Sequence, residues 1–88
     1  MSEECIKVYV VPIGMDGNTM QFNMKKTMSL GKLMVKYGEV VGVKSHTLRF
    51  CFEGSRIQAW DTAEGLELGD LCTIEVYPEL GGMRFRIN

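Results

Sequence analysis

From Ile6 to Val10 apolar side chains alternate with Lys7 and Tyr9. That period of two predicts a strand with one buried face. Pro12-Ile13-Gly14-Met15-Asp16-Gly17-Asn18 follows, rich in turn formers, with Asp16-Gly17 as the expected turn centre. A second alternation sets Met20, Phe22 and Met24 on one face and Gln21, Asn23 and Lys25 on the other, so the two runs predict a β-hairpin. The period then lengthens: Leu30, Leu33, Met34 and Tyr37 fall at i, i+3, i+4 and i+7, the apolar stripe of a helix. Thr27 or Ser29 is placed to cap its start, and Gly42 to stop it in a left-handed turn. Gly31 and Gly38 each weaken this helix by about 1 kcal/mol relative to alanine, so tertiary packing must hold it.

Thr47 to Phe52 is β-prone and aromatic, and predicts a third strand. Glu53-Gly54 turns it into a short strand at Arg56-Ile57. Asp61-Thr62-Ala63-Glu64 begins with a capping residue and predicts one helical turn. Leu68-Gly69-Asp70 punctuates before a last strand at Thr73 to Tyr77. The order β-β-α-β-β-short helix-β fits an α+β class, one main helix across one face of a mixed sheet, as in the β-grasp arrangement.

At 88 residues the chain has room for a single domain and no separate cofactor domain. No apolar run approaches the roughly 18 residues of a membrane span, and Met1-Ser2-Glu3-Glu4 lacks the basic and apolar stretches of a secretion signal. The net charge of −1 removes the basic balance expected of a nucleic-acid binder. Its distribution says more. Residues 1–49 hold seven Lys or Arg and four acids, whereas residues 50–82 hold Arg56 and seven acids. The split points to two electrostatically different faces, or else to uneven solvated charge.

Cys5, Cys51 and Cys72 are far apart, with His46 the sole histidine. This falls short of a structural zinc set and suggests no disulfide framework. Isolated thiols in odd number fit a reducing compartment. Cys51 and Cys72 lie in strand patterns and are expected to be small buried hydrophobes, with Cys5 near a terminus. Trp60 stands alone, offers no stacking platform for single-stranded nucleic acid, and is expected to cover the edge of the core. No phosphate loop and no catalytic constellation emerges, so the chain is read as a non-enzyme with no metal and no cofactor.

The end of the chain is the informative part: Tyr77-Pro78-Glu79-Leu80-Gly81-Gly82-Met83-Arg84-Phe85-Arg86-Ile87-Asn88. Two glycines in succession make a thin track that can thread an enzyme tunnel any Cβ would block. At this point the chain resembles the small ubiquitin-related modifier (SUMO) family. The resemblance rests on Ile6-Lys7-Val8, on Leu48-Arg49-Phe50 continuing as Phe52-Glu53-Gly54-Ser55-Arg56-Ile57, on Ile74-Glu75-Val76-Tyr77, and on Gly81-Gly82. It spans residues 4–82 and implies a ubiquitin-like β-grasp of residues 5–78, a short flexible segment 1–4, and a flexible tail 79–88 with a propeptide 83–88.

The resemblance further implies a modifier precursor. A SUMO-specific protease would cut between Gly82 and Met83. The activating and conjugating enzymes would then pass the Gly82 carboxylate, reached past Gly81, to a substrate lysine. A groove between the second strand and the helix would bind SUMO-interacting peptides as an added strand, at Phe22, Met24, Lys25, Lys32, Leu33 and Tyr37. Phe22 and Leu33 would line its pockets, unless they are plain core, and Lys25 and Lys32 would meet an acidic flank. Glu53, Glu67 and Asp70 would face the conjugating enzyme. The implied partners are these enzymes, substrate proteins and peptides, for a monomer in nucleus and cytoplasm that contacts neither nucleic acid nor membrane.

The chain departs from the family pattern at the groove rim, with Val40 in place of a basic residue and Asn23 in place of a lysine. It departs also at Pro78 and Leu80 before the glycines, and in the thinned acidic cluster around Glu67 and Asp70. Val35-Lys36-Tyr37-Gly38 misses the acid of an acceptor motif. The tail has a rival reading. Met83, Phe85 and Ile87 alternate with Arg84 and Arg86, so Leu80-Gly81-Gly82 could turn a hairpin and the tail add an edge strand to an unprocessed binding module. A sulfur carrier of the same fold fits less well, because such carriers end at their final glycine.

Overall fold

In the computed structural model, which describes residues 4–79, the first alternating run forms β1 (Cys5–Pro12) and the second forms β2 (Met20–Lys25). They pair antiparallel, with Ile6 opposite Met24 and Val8 opposite Phe22. β1 is longer than its alternation predicts, because Val11 and Pro12 continue the ladder alongside the last strand. The connection runs over residues 13–19, a loop rather than a tight turn, with Gly14 and Gly17 both at positive φ.

The main helix, α1 (Leu30–Val41), buries Leu30, Leu33, Tyr37 and Gly38. Gly42 ends it in the left-handed region (φ 85°, ψ 26°), its N–H donating to Gly38 O at 2.8 Å. Ser29 occupies the N-cap position, but its hydroxyl accepts no capping hydrogen bond. Instead, Leu30 N–H donates to Asp61 O (2.6 Å) and Gly31 N–H to Ala59 O (2.8 Å), so a distant loop satisfies the first-turn donors. The loop reaches the helix because residue 31 has no side chain: a Cβ there would stand 2.9 Å from Ala59 O.

A single 3-10 turn at Ser45–Thr47, which periodicity does not reveal, leads into β3 (Leu48–Phe52). Glu53 (φ 52°) and Gly54 (φ 86°) make the two-residue connection to β4 (Ser55–Arg56). Two successive positive φ angles are the signature of a type I′ hairpin. Ile57, expected within β4, follows it as a buried core residue whose N–H bonds Phe50 O. The four-residue helix α2 (Ala63–Leu66) is capped by Thr62, which accepts from Gly65 N–H at 2.9 Å. Asp61, the expected cap, instead accepts from Gln58 N–H at 2.7 Å within its own turn. β5 (Cys72–Pro78) completes the sheet.

The strand order is β2-β1-β5-β3-β4. β1 and β5 run parallel at the centre and every other pairing is antiparallel, which makes the sheet mixed. Val8, Val10, Ile74 and Val76 form the sheet side of the core and are fully buried. Tyr37 comes down from α1 between Phe22 (6.2 Å) and Phe50 (5.9 Å), edge to face with each. Two expectations are corrected. Trp60 does not cover the core edge; it is 76% exposed. Cys51 and Cys72 are half-buried rather than interior: Cys51 lies on the outer face of β3, and Cys72, on the core face, is the first residue of β5 at its end.

Candidate functional site

β2 lies at one end of the sheet and leaves an edge beside α1. Of the six residues expected to line a groove there, three belong to the core: Met24 (2% exposed), Leu33 (4%) and Tyr37 (0%). Phe22 is half-buried against them, while Lys25 and Lys32 are exposed. This follows from the helical and strand periods: the positions that face inward carry the large apolar groups, and the lysines fall one position off. A hollow of about 510 Å³ at this end is lined by Cys5, Asn23, Met24, Lys25, Thr27, Met28 and Lys32. Lys25 and Lys32 thus share a concavity with an apolar floor, and the exposed Cys5 stands opposite Lys25 in the ladder. Val40, expected at the rim, is half exposed and does not line this hollow.

Two of the acids expected to face the conjugating enzyme meet around the turns that flank β3 and β5. Glu53 and Glu67 line one hollow of about 680 Å³ together with Glu75, Cys72 and the exposed Leu71. Burial is the main cause that pushes the Cys72 thiol up from its usual value; its own backbone hydrogen bond opposes this, and the Asp70 charge adds to it. Asp70 does not line that hollow. Its carboxylate accepts from Lys7 N–H at 2.8 Å and ties the turn before β5 to β1. Glu75 was not singled out from sequence. Its place beside Cys51 in the β3–β5 register brings it to this face, a relation between strands that are distant in the chain. The charge split along the chain therefore becomes a spatial one, with the lysines of β2 and α1 at one end and Glu53, Glu67 and Glu75 at the other.

On the face of the sheet away from α1, Arg49 stands opposite Tyr77, its guanidinium 5.8 Å from the ring centroid. Tyr77 O–H donates to Glu75 at 2.7 Å, and that hydrogen bond chiefly raises the Tyr77 phenol above its usual value. The chain leaves the sheet at a fixed point. Glu79 N–H donates to Thr47 O at 2.9 Å, and the Glu79 carboxylate pairs with Arg56 at 2.7 Å. Gly81, Gly82 and Met83, expected to form the processing and conjugation site, lie outside the described residues, as does most of the tail expected at 79–88. Among the described residues no three His, Cys, Asp or Glu side chains come together as a metal site requires, and no helix is long and apolar enough to cross a membrane.

The arrangement has known relatives. Over residues 6–77 the chain matches the family described as Ubiquitin-2 like Rad60 SUMO-like. It is 45% identical over 80 residues to a small ubiquitin-related modifier of Caenorhabditis elegans, covering 90% of this chain and 86% of the relative. Small ubiquitin-related modifier 2-A of Xenopus laevis is 39% identical over 72 residues (82% and 76% of the two chains). The human small ubiquitin-related modifier 2 is 39% identical over 69 residues (78% and 73%). Among solved structures, a ubiquitin of Caldiarchaeum subterraneum superposes with a TM-score of 0.81 over 85% of this chain and 94% of that one, at 17% identity. That last likeness fixes the fold as the ubiquitin-like β-grasp, and the sequence matches across most of the chain fix the rest: this protein belongs to the SUMO family of ubiquitin-like proteins.

Proposed function

We propose that this SUMO-like protein is a modifier made as a precursor, cut between Gly82 and Met83, and joined through the Gly82 carboxylate to substrate lysines. The observation that carries the reading is the fixed exit of the chain: β5 ends at Pro78, Glu79 is clamped to Thr47 and Arg56, and Leu80-Gly81-Gly82 follows at once. A glycine pair so close in sequence to the end of β5 limits how far the reacting carboxylate can lie from the surface the enzymes grip. The protein is the group transferred; activating, conjugating and proteolytic enzymes supply the chemistry.

The rival reading, a hairpin that adds the tail to β5, finds little edge to pair with. The β3 side of β5 is occupied as far as Glu79, whose N–H bonds Thr47 O. The β1 side is occupied as far as Val76, which accepts from Ile13 N–H. Backbone groups alternate sides along a strand, so the next residue to face β1 is Pro78, which has no N–H to donate.

The same protein would take a hydrophobic peptide with an acidic flank as an added strand on β2, with Phe22 at the surface and the lysine pair, Lys25 and Lys32, meeting the acids. Glu53 and Glu67, with Glu75, would form the acidic face for the conjugating enzyme. Asp70 serves that face through the backbone it holds.

Incubating the 88-residue chain with a SUMO-specific protease and weighing the product tests the first proposal: the expected mass is that of a chain ending at Gly82, and an uncut chain refutes it. For the groove, amide shifts of residues 22–25 and 32–33 are expected on titration with the peptide; unmoved amides there refute β2 docking.

A further inference from the structure

The chain's one tryptophan occupies a place where a buried residue would be expected to retreat, and it does not. Trp60 is 76% exposed, the most exposed large apolar residue among those described. It sits at the tip of a turn that is closed on itself and bolted to α1. Gln58 N–H donates to the Asp61 carboxylate (2.7 Å) and Asp61 N–H to Gln58 O (3.0 Å). From the helix, Leu30 N–H donates to Asp61 O and Gly31 N–H to Ala59 O. An aromatic ring held out on so constrained a backbone loses little freedom on binding, and tryptophan is the residue type most enriched where partner proteins anchor.

Beside this turn the outer flank of α1 forms a shelf. Gly31, Val35 and Ala59 floor an open hollow of about 560 Å³, and Lys32, Lys36 and Glu39 edge it. Val35 lies on the face of α1 away from the core and is 51% exposed. Two lysines against one glutamate leave the rim basic, and neither lysine makes an ion pair among the described residues. The shelf is a valine and an alanine against a helix flank, and Trp60 follows that alanine in the turn beside it. A stable contact with a second copy of this chain needs roughly 800 Å² from each partner; a short peptide needs far less.

We propose that this shelf is a second docking site, distinct from the β2 groove, for a short acidic segment of a partner protein. The segment lays one apolar side chain against Trp60 and Val35 and sets carboxylates toward Lys32 and Lys36. It does not depend on the processing of the tail; Lys32 also edges the β2 hollow, so Lys36, Val35 and Ala59 are the residues that mark this shelf alone.

Because Trp60 is the sole tryptophan and follows Ala59 of the shelf, its fluorescence reports on the turn beside this site. The probe is a capped, tryptophan-free hexapeptide with two carboxylates on each side of a Leu-Phe pair. Titrated into the 88-residue chain at low salt, it is expected to shift the emission to the blue in a saturable way. The amides of Val35 and Ala59 are expected to move with the same midpoint. Raising the salt to about 0.5 M is expected to weaken binding about fivefold or more, because exposed charge pairs are screened. Lys36→Glu, an exposed change that leaves the fold intact by circular dichroism, is expected to weaken it at least threefold, roughly the share of one screened surface contact. Three results overturn the proposal. One is emission unmoved at about 5 mM peptide, beyond the weak end of useful affinity. Another is amide shifts confined to residues 22–25, which would assign the peptide to the β2 groove alone. The third is a blue shift that follows protein concentration without peptide, which would make the shelf a contact between copies.

Discussion

Replacing Tyr37 by phenylalanine is expected to make the protein more stable. Tyr37 is fully buried, and its hydroxyl has no hydrogen-bond partner among the described residues. A buried polar group without a partner costs about 1–3 kcal/mol, the water contacts it gave up on folding. The ring contacts to Phe22 and Phe50, each contributing about 0.5–1.5 kcal/mol beyond burial, survive the change because phenylalanine keeps the ring. Losing the oxygen also removes its dispersion contacts, so the net gain is placed near 1 kcal/mol. For a domain of this size that corresponds to about 4–8 °C in Tm. Urea denaturation reads it as a higher midpoint at unchanged slope. A loss of more than about 0.5 kcal/mol would refute the reasoning and place a partner, such as an ordered water, on the hydroxyl.

A second signature lies at high pH. Burial pushes the Tyr37 phenol above its usual value near 10. The folded state therefore keeps the proton longer than the unfolded chain does. The stability that goes with the neutral phenol is present below pH 10 and is lost as pH rises through the folded-state value. The Phe variant is expected to lose less stability than the parent above pH 10. The comparison cancels the contribution of Tyr77, whose phenol is also raised.

Gly38→Ala is expected to destabilise despite the better helix propensity of alanine, because a Cβ at that position would stand 2.6 Å from Val43 O, a backbone atom that cannot swing away. The net loss should exceed about 1 kcal/mol by denaturant midpoint, and a gain would show that the segment after α1 shifts freely. Leu33→Ala should lower the unfolding free energy by about 2–4 kcal/mol; a drop under about 1 kcal/mol would place Leu33 on the surface as a groove wall. Thr62→Ala removes the oxygen that caps α2 and should cost about 1 kcal/mol, with Thr62→Ser restoring most of it.

What the residue pattern reveals and what it hides follow from the range of the forces involved. The alternations of β1 and β2, the α1 stripe and the left-handed stop at Gly42 are local signals, and each element forms where its period predicts. The boundary shifts at Pro12 and Ile57 come from neighbours across the sheet, which a window along the chain does not contain. The cap of α1 illustrates this best. Ser29 has the right residue type in the right place, but the loop carbonyls of Ala59 and Asp61 take the donors first, and Gly31, which looks like a weakness in the helix, is what lets them in. The groove residues were harder to sort. Phe22, Met24, Leu33 and Tyr37 share one sequence signature, and only the packing separates the half-buried Phe22 from the three core residues. The placement of Trp60 is hidden for the same reason: an isolated aromatic carries no period, and its outward position depends on four hydrogen bonds made by its neighbours.

The central pair of the sheet joins the first strand to the last: β1 begins at Cys5 and its parallel neighbour β5 ends at Pro78. On a ribosome, β1 would be complete some sixty residues before its neighbour is made, and β3 would likewise wait with one edge open. Closure of such long-range pairs is the slow step in folding. The centre of the sheet therefore closes only once its last strand has been made. A premature stop between Phe52 and Cys72 would release a chain with the β5-facing edges of both β1 and β3 bare, suited to clearance by chaperones and proteases rather than to partial function.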